Sequence, residues 1–262
     1  MKKYPTNEER TLEYLSNFNR EKTIKKLINK KDPIIFDVGA NDGISLLEFS
    51  SLWHESVVHC FEPQEECWPL LKDRMISVEE KNNNPTEHRV LINKIAVGDK
   101  SEQNVTFYSH RASSGLSGFN KINVQSMDSI SLNKIRDSEN KDKFEQYCEE
   151  VNNERLVDIV RLDDYMADKG IEHIDLLKID TQGHEPEVLS GLGEKLADVD
   201  VVVTELMLYD YYERSLSFSD IEKYLLPAGF QLYDISHISK NPMNGRTDWV
   251  DVIYVNKKLG IR

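Results

Sequence analysis

IIFDVGANDGISLLEF, residues 34–49, decides the fold of this chain. Ile34, Ile35 and Phe36 lead through Asp37 and Val38 into Gly39; Asn41, Asp42 and Gly43 follow, and then a run with helical spacing. A buried strand, a tight polar loop and a helix in that order form the opening unit of an open parallel sheet, in which ligands bind beyond the carboxyl ends of the strands. Gly39 lets the backbone turn sharply beside a ligand, and Gly43 lets the helix begin close to the strand. A phosphate loop would combine glycines with positive charge, whereas this one carries Asp37 and Asp42. Its ligand is therefore expected to present a cationic or hydroxyl-rich end. The plainer reading, an Asp and an Asn that only make a turn, stays open here.

The same alternation runs outward from this unit. Short apolar runs recur at VVHCF (57–61), VLINKIAV (90–97), DLLKI (175–179), VVVTEL (201–206), FQLYDI (230–235) and WVDVIYV (249–255). VTFY (105–108) and VDIVRL (157–162) read as strands outside the simple alternation. Helical patterns lie at 44–53, 64–76, 185–196 and 219–228. Continuous apolar strands separated by helices predict a parallel sheet covered on both faces. The last two strands are too close for a helical crossover and predict an antiparallel hairpin. Before the sheet, Thr6 to Glu9 reads as a capping box, and Leu12, Leu15, Phe18, Ile24, Leu27 and Ile28 recur at helical spacing. These predict one or two amphipathic helices whose stripe serves packing or a homodimer contact. Residues 120–156 are dense in both charge signs and predict a surface insertion with some helix, with a lid over the site as the sharper alternative.

Composition narrows the functions. The 262 residues are 39% hydrophobic and 30% charged, and suffice for one α/β domain with a full core. A net charge of −13 argues against nucleic-acid binding, since repulsion from phosphates dominates at long range. No stretch approaches the roughly 18 apolar residues of a membrane span, and the start MKKYPTNEERTLEYL has no apolar signal core. Cys60, Cys67 and Cys148 are odd in number and lack a CxxC pair, so neither a disulfide framework nor a thiolate zinc site is expected. A cytoplasmic location follows as the default.

Candidate site residues fall at the strand tips. Glu62 ends the second strand, where an acid can accept hydrogen bonds from both ribose hydroxyls of an adenosine moiety. Nicotinamide and S-adenosylmethionine enzymes share that geometry. Acids in the first loop would repel a pyrophosphate and suit an ammonium and a sulfonium, and the spacing G-x-x-x-G departs from the dinucleotide fingerprint G-x-G-x-x-G. LLKIDTQGHEPEVLSG (176–191) repeats the strand–loop–helix pattern and places Asp180 beside the same cleft. Glu205 ends an apolar strand, and His237 follows another. Each of these has a bland alternative as a turn, a helix-start acid or a solvated strand end.

These stretches, with FEP (61–63), AVGDK (96–100), SSGLSG (113–118), VRLDDYM (160–166) and LPAGFQLYDI (226–235), resemble the FkbM-type family of S-adenosylmethionine-dependent methyltransferases. The resemblance runs from about residue 33 to 257, leaving an N-terminal helical extension (1–32), a domain carrying the charged insertion, and a short tail (258–262). It implies the class I methyltransferase fold: a Rossmann-like α/β, seven-stranded, mostly parallel sheet with helices on both faces and a C-terminal antiparallel hairpin. It implies that Asp37, Gly39, Ala40, Asn41 and Gly43 shape the methionine end of the cofactor site, that Glu62 holds the ribose, that Ala96 lies near the adenine, and that Asp180 lies near the transferable methyl. Many relatives carry Glu where this chain has Gln182, and a small or hydrophobic residue where it has His184.

The expected activity is O-methylation, with a sugar hydroxyl, free, nucleotide-linked or within a saccharide or natural-product precursor, as the acceptor class. A positioned base would remove the hydroxyl proton, and Asp180, Glu205, His184 and His237 are the candidates, Asp180 first by location. Alternatively Asp180, Glu205 and His237 gather around a divalent metal such as Mg or Mn that lowers the hydroxyl pKa. A nicotinamide-dependent oxidoreductase and a non-catalytic binding protein are the competing functions.

Overall fold

A computed structural model describes residues 4–81, 89–126 and 141–260. Its main sheet has seven strands. In chain order they are β1 (Ile34–Val38), β2 (Val57–Phe61), β3 (Val90–Asn93), β7 (Ile174–Ile179), β8 (Val199–Met207), β9 (Phe230–Lys240) and β10 (Thr247–Asn256). Their spatial order is β3-β2-β1-β7-β8-β10-β9. All neighbours are parallel except β10, which runs antiparallel to both β8 and β9. The strand order reverses between β1 and β7, so the carboxyl ends of these two strands flank the crevice where such sheets bind ligands.

Continuous apolar runs form these strands because both faces are covered. Ile35, Leu176, Val201 and Ile253 point to one face, where they meet helices α2 (Arg20–Leu27), α3 (Ile44–Leu52) and α4 (Trp68–Lys81) through Ile24, Leu46, Phe49 and Leu71. Their neighbours Phe36, Leu177, Val202 and Tyr254 point to the other face. There they meet α6 (Leu162–Lys169), α7 (Glu185–Ser190) and α8 (Phe218–Leu225). The period of two along each strand thus feeds two apolar cores.

Three expectations are corrected. VLINKIAV is two strands: β3 stays in the main sheet, and the chain leaves it at Lys94 so that β4 (Ala96–Val97) joins a second sheet. This small sheet has the order β4-β6-β5, with β5 at Glu102–Ser109 and β6 at Asn153–Val160. The 120–156 stretch is therefore partly strand. Its helix α5 (Lys141–Glu150) is not merely solvated, because Tyr147 and the following Val151 pack with Ile122, Tyr209, Tyr211 and Tyr212 beyond the end of β8. The centre of the stretch, 127–140, lies outside the described residues. Finally, the N-terminal stripe divides. Ile24 and Leu27 of α2 are buried in the core, whereas α1 (Asn7–Asn17) buries none of its residues and exposes Leu12 and Leu15.

The terminal hairpin carries three register irregularities between β9 and β10. Two of them, between Asp251 and Val252 and between Ile253 and Tyr254, convert the period of two into a spacing of three, so Leu232, Ile235 and Ile238 stand opposite Tyr254, Val252 and Val250 along the edge strand.

Candidate functional site

At the tip of β1 the chain must turn at once, because the loop after β7 lies against it. Gly39 has φ +76°, and a Cβ there would sit 1.9 Å from the Asp180 carbonyl oxygen. Only glycine allows the two loops this approach. The Phe61 carbonyl accepts both the Gly39 and Ala40 N–H groups, at 3.1 and 3.0 Å, which joins the β1 loop to the end of β2.

Glu62 follows directly and is 2% exposed. One carboxylate oxygen accepts the Asn41 N–H and the other the Gln64 N–H, each at 2.8 Å. Burial raises its pKa, and the two backbone donors oppose that shift. Each oxygen keeps a further lone pair. Beside it the Gln64 carbonyl oxygen Oε1 is buried and has no hydrogen-bond partner.

A cleft opens over these tips. Its floor comes from the main sheet: Val38, Gly39 and Asn41 after β1, Phe61 to Gln64 after β2, and Asp180 to Gln182 after β7. Its apolar wall and cover come from the small sheet and the segment that follows β5: Ala96, Val97, Phe107, Ser114, Gly115, Ser117 and Phe119. The cover is tied down by the Ser114 hydroxyl, which donates to Asn41 Oδ1 at 2.8 Å, and by the Gln64 amide, which donates to the Ser114 carbonyl at 3.1 Å. The Cys67 thiol donates to the same Asn41 oxygen at 3.0 Å.

Two acids line this cavity, Glu62 and Asp180, and they are not the two that carried the charge argument from sequence. Asp37 is wholly buried beneath the loop, with Lys178 Nζ 3.2 Å from its Oδ1. Burial raises the Asp37 pKa, while Lys178 opposes the rise. For Lys178, burial alone would lower its pKa, but Asp37 and Asp180 beside it raise it overall. Lys178 also donates to the Gly39 carbonyl at 2.8 Å, so the pair braces the loop from behind. Asp42 points away and pairs with Arg74 at 2.6 Å. Each acid of the first loop thus has its own cation.

Gly43 also lies off the cavity. It starts α3 at φ +88°, where a Cβ would stand 2.7 Å from the Leu71 side chain, so its role is helix placement. Ala40 packs in the core beneath the loop.

The loop after β7 is strained. Gln182 sits at φ +56°, a left-handed backbone uncommon outside glycine, asparagine and aspartate. Its side-chain amide donates to Asp180 Oδ1 at 2.8 Å and its carbonyl accepts from the Tyr212 hydroxyl at 2.7 Å. Glu185, at the start of α7, is fully buried. Its Oε1 accepts from Thr181 N, Thr181 Oγ1 and Gly183 N at 2.9, 3.1 and 3.2 Å. Burial pushes its pKa up to about 7.

The four base candidates do not converge. Asp180 lines the cavity with its side chain 40% exposed. Glu205 stands opposite Asp251 in the β8–β10 register, and Asp251 stands opposite His237 across β10–β9. Glu205 is pushed well above the usual carboxylate range by burial and then by Asp180 and Asp251. His237 is exposed at the edge strand. His184 packs against Phe119, with ring centroids 4.4 Å apart and planes tilted by 36°, and does not line the cavity. Burial lowers its pKa to about 4, leaving a neutral ring.

Nor do Asp180, Glu205 and His237 form a metal-ligand group. Among the described residues, the one trio of such side chains whose ligand atoms lie within 4.8 Å is His173, Asp175 and Asp200, at the opposite end of the sheet.

Sequence reasoning missed the brace and most of the cover. Lys178 had a signal, a lone cation inside an otherwise apolar strand. Phe107 and Phe119 had none, because their place depends on how the small sheet folds over the main one.

The family model described as Methyltransferase FkbM domain matches residues 37–232. A 2-O-methyltransferase NoeI from Sinorhizobium fredii is 26% identical over 213 residues, 81% of this chain and 79% of that protein. The 31-O-demethyl-FK506 methyltransferase FkbM from Streptomyces tacrolimicus is 32% identical over 168 residues, 62% of this chain and 60% of its own length. A crystal structure of a methyltransferase FkbM from Methylobacillus flagellatus shares the fold with a TM-score of 0.51 and 14% identity, over 86% of this chain and 44% of the other.

Proposed function

The chain belongs to the FkbM methyltransferase domain family, and from that premise we propose that it methylates a hydroxyl oxygen of a sugar, either nucleotide-linked or part of a saccharide or natural-product precursor. S-adenosylmethionine, when bound, supplies a methyl group on a positively charged sulfur. The residues of the cavity fit this cofactor. Glu62 has spare lone pairs where ribose hydroxyls need acceptors, and the buried orphan Gln64 Oε1 accepts another donor. Ala96, Val97, Phe107 and Phe119 offer an apolar slot of the kind a purine fills.

The observation that carries the reading is the pair of lining acids at the switch point, one buried and already hydrogen-bonded to backbone, the other open to the cavity. Glu62 binds and orients. We assign Asp180 the role of base toward the acceptor hydroxyl, a reading supported by its side chain being open to the cavity. Holding the reactants together between floor and cover is where much of the rate gain would arise.

Titration of the protein with S-adenosylhomocysteine and with NAD tests the cofactor. Heat from the first alone supports the reading, and heat from NAD alone overturns it. Screening sugars, nucleotide-linked sugars and polyhydroxylated natural products for labelled-methyl incorporation then identifies the acceptor. No described helix is long and apolar enough to cross a membrane, which agrees with action in the cytoplasm. The exposed Leu12 and Leu15 of α1 support a homodimer, which sedimentation equilibrium would reveal.

A further inference from the structure

Gln182 lines the cavity with both its backbone and its side chain held in place. Its backbone is held at φ +56°, a strained conformation that persists only where surroundings enforce it. Its side chain joins two elements. The amide nitrogen donates to Asp180 Oδ1 at 2.8 Å, which fixes the amide orientation and leaves the carbonyl for Tyr212. The Tyr212 hydroxyl is buried, and its single proton is shared between Gln182 Oε1 at 2.7 Å and the Leu116 carbonyl of the cover at 3.1 Å. On the other side of Asp180, Lys178 Nζ stands 3.6 Å from Oδ2.

Resting on the cofactor reading above, we propose that Gln182, locked by Tyr212, is a positioning residue that holds the Asp180 carboxylate in one orientation toward the transferable methyl and the acceptor hydroxyl. A flipped amide would present its oxygen to Asp180 and turn that carboxylate away. An ionised Asp180 can only accept and so sets the amide orientation, and Tyr212 reinforces it by donating to the amide carbonyl. A glutamate at this position would set two carboxyls at contact distance, and their repulsion would make the pair hold one proton more tightly than a lone carboxyl does. This chain's glutamine therefore gives Asp180 a neutral partner at every working pH.

The test uses two nucleosides. S-adenosylhomocysteine has no charge at the methyl position, whereas sinefungin carries a protonated amine there. The ratio of their dissociation constants reports the carboxylate facing that position, and a general loosening of the site cancels from it. For the wild type the preference for sinefungin is expected to be about tenfold and flat from pH 6.5 to 8.5. In Gln182→Glu, which is isosteric, the preference should rise about tenfold across that range as the shared proton leaves. In Gln182→Met, which cannot donate, it should fall at least threefold, and Tyr212→Phe should shift it the same way by less. A flat Gln182→Glu profile, or a wild-type preference in Gln182→Met, overturns the proposal while the cofactor reading stands. A wild type that binds neither nucleoside overturns the cofactor reading and this inference with it.

Discussion

Strands β7 and β8 carry acids at both ends, and the two ends behave differently. At their amino ends, Asp175 and Asp200 share His173, whose Nε2 is 3.5 and 3.0 Å from them. Lys30 pairs with Asp175 at 3.0 Å and Lys258 with Asp200 at 3.2 Å. Asp175 also accepts the Ile34 N–H and so anchors the start of β1. At the carboxyl ends, Asp180 and Glu205 stand with Asp251 and the buried Lys178. One lining acid is solvent-accessible, the loop between is strained, and a cavity lies beside it. Acids that each have a nearby cation and close no cavity are architecture. Acids left against open space, on backbone that glycine or strain has to shape, are what a ligand would use.

Breaking that contrast should have its largest effect at Asp180. Asp180→Asn is expected to reduce turnover of the identified acceptor by about 10² to 10⁴-fold if the residue is the base. Single-turnover kinetics would show the loss in the chemical step, with S-adenosylhomocysteine affinity changed far less. Gly39→Ala should come next. Its new methyl group meets the Asp180 carbonyl, so the loops must part, at a cost of roughly 3 kcal/mol or more in urea unfolding together with weakened cofactor binding. Glu62→Ala removes charge-assisted hydrogen bonds and should weaken S-adenosylhomocysteine by roughly 1.5–3 kcal/mol, about 10- to 100-fold by calorimetry. Unchanged affinity there would leave Glu62 a loop anchor only.

Smaller effects sharpen the contrast. Burial holds the Glu205 pKa well above the ordinary glutamate range. The folded chain therefore keeps a proton that the unfolded chain releases as pH climbs past about 4.5, and stability declines as pH rises from there toward the raised folded value. Glu205→Gln removes that slope. Its unfolding free energy relative to wild type, from urea titration, should improve from pH 5 to pH 8.5 by on the order of 1 kcal/mol. Equal differences at both values would mean that Glu205 is solvated. At the other end, His173→Ala should cost less than about 1 kcal/mol and leave nucleoside binding untouched. A loss of S-adenosylhomocysteine affinity there would dissolve the distinction between the two ends.

Much of the fold was legible because β1, β7 and β8 are apolar on both faces, a pattern that few arrangements satisfy. The antiparallel hairpin was legible from chain length alone. The small sheet was half-visible: VTFY and VDIVRL stood outside the alternation, but nothing local shows that β4 leaves the main sheet after only Lys94 and Ile95. Within the site, Gly39, Asn41, Glu62, Ala96 and Asp180 all reach the cavity, since position at a strand tip is readable from the run before it. Orientation was not readable. Asp37 lies one residue before the strand end, so the pleat turns it under the loop toward Lys178 rather than up toward a ligand. Asp42 reaches a cation on α4, a contact 32 residues away in the chain. Pairing between distant residues decides whether an acid is spent or available, and spacing along the chain does not encode it.

The cavity's floor and cover belong to different sheets, joined around the opening by hydrogen bonds from Ser114 and Gln64. Whatever fills the space becomes a rivet between them. Occupancy should then be felt well away from the ligand, as slower amide exchange in β5 and β6 and resistance to proteases there. Empty protein, by contrast, should shed the small sheet as a separate early step on heating.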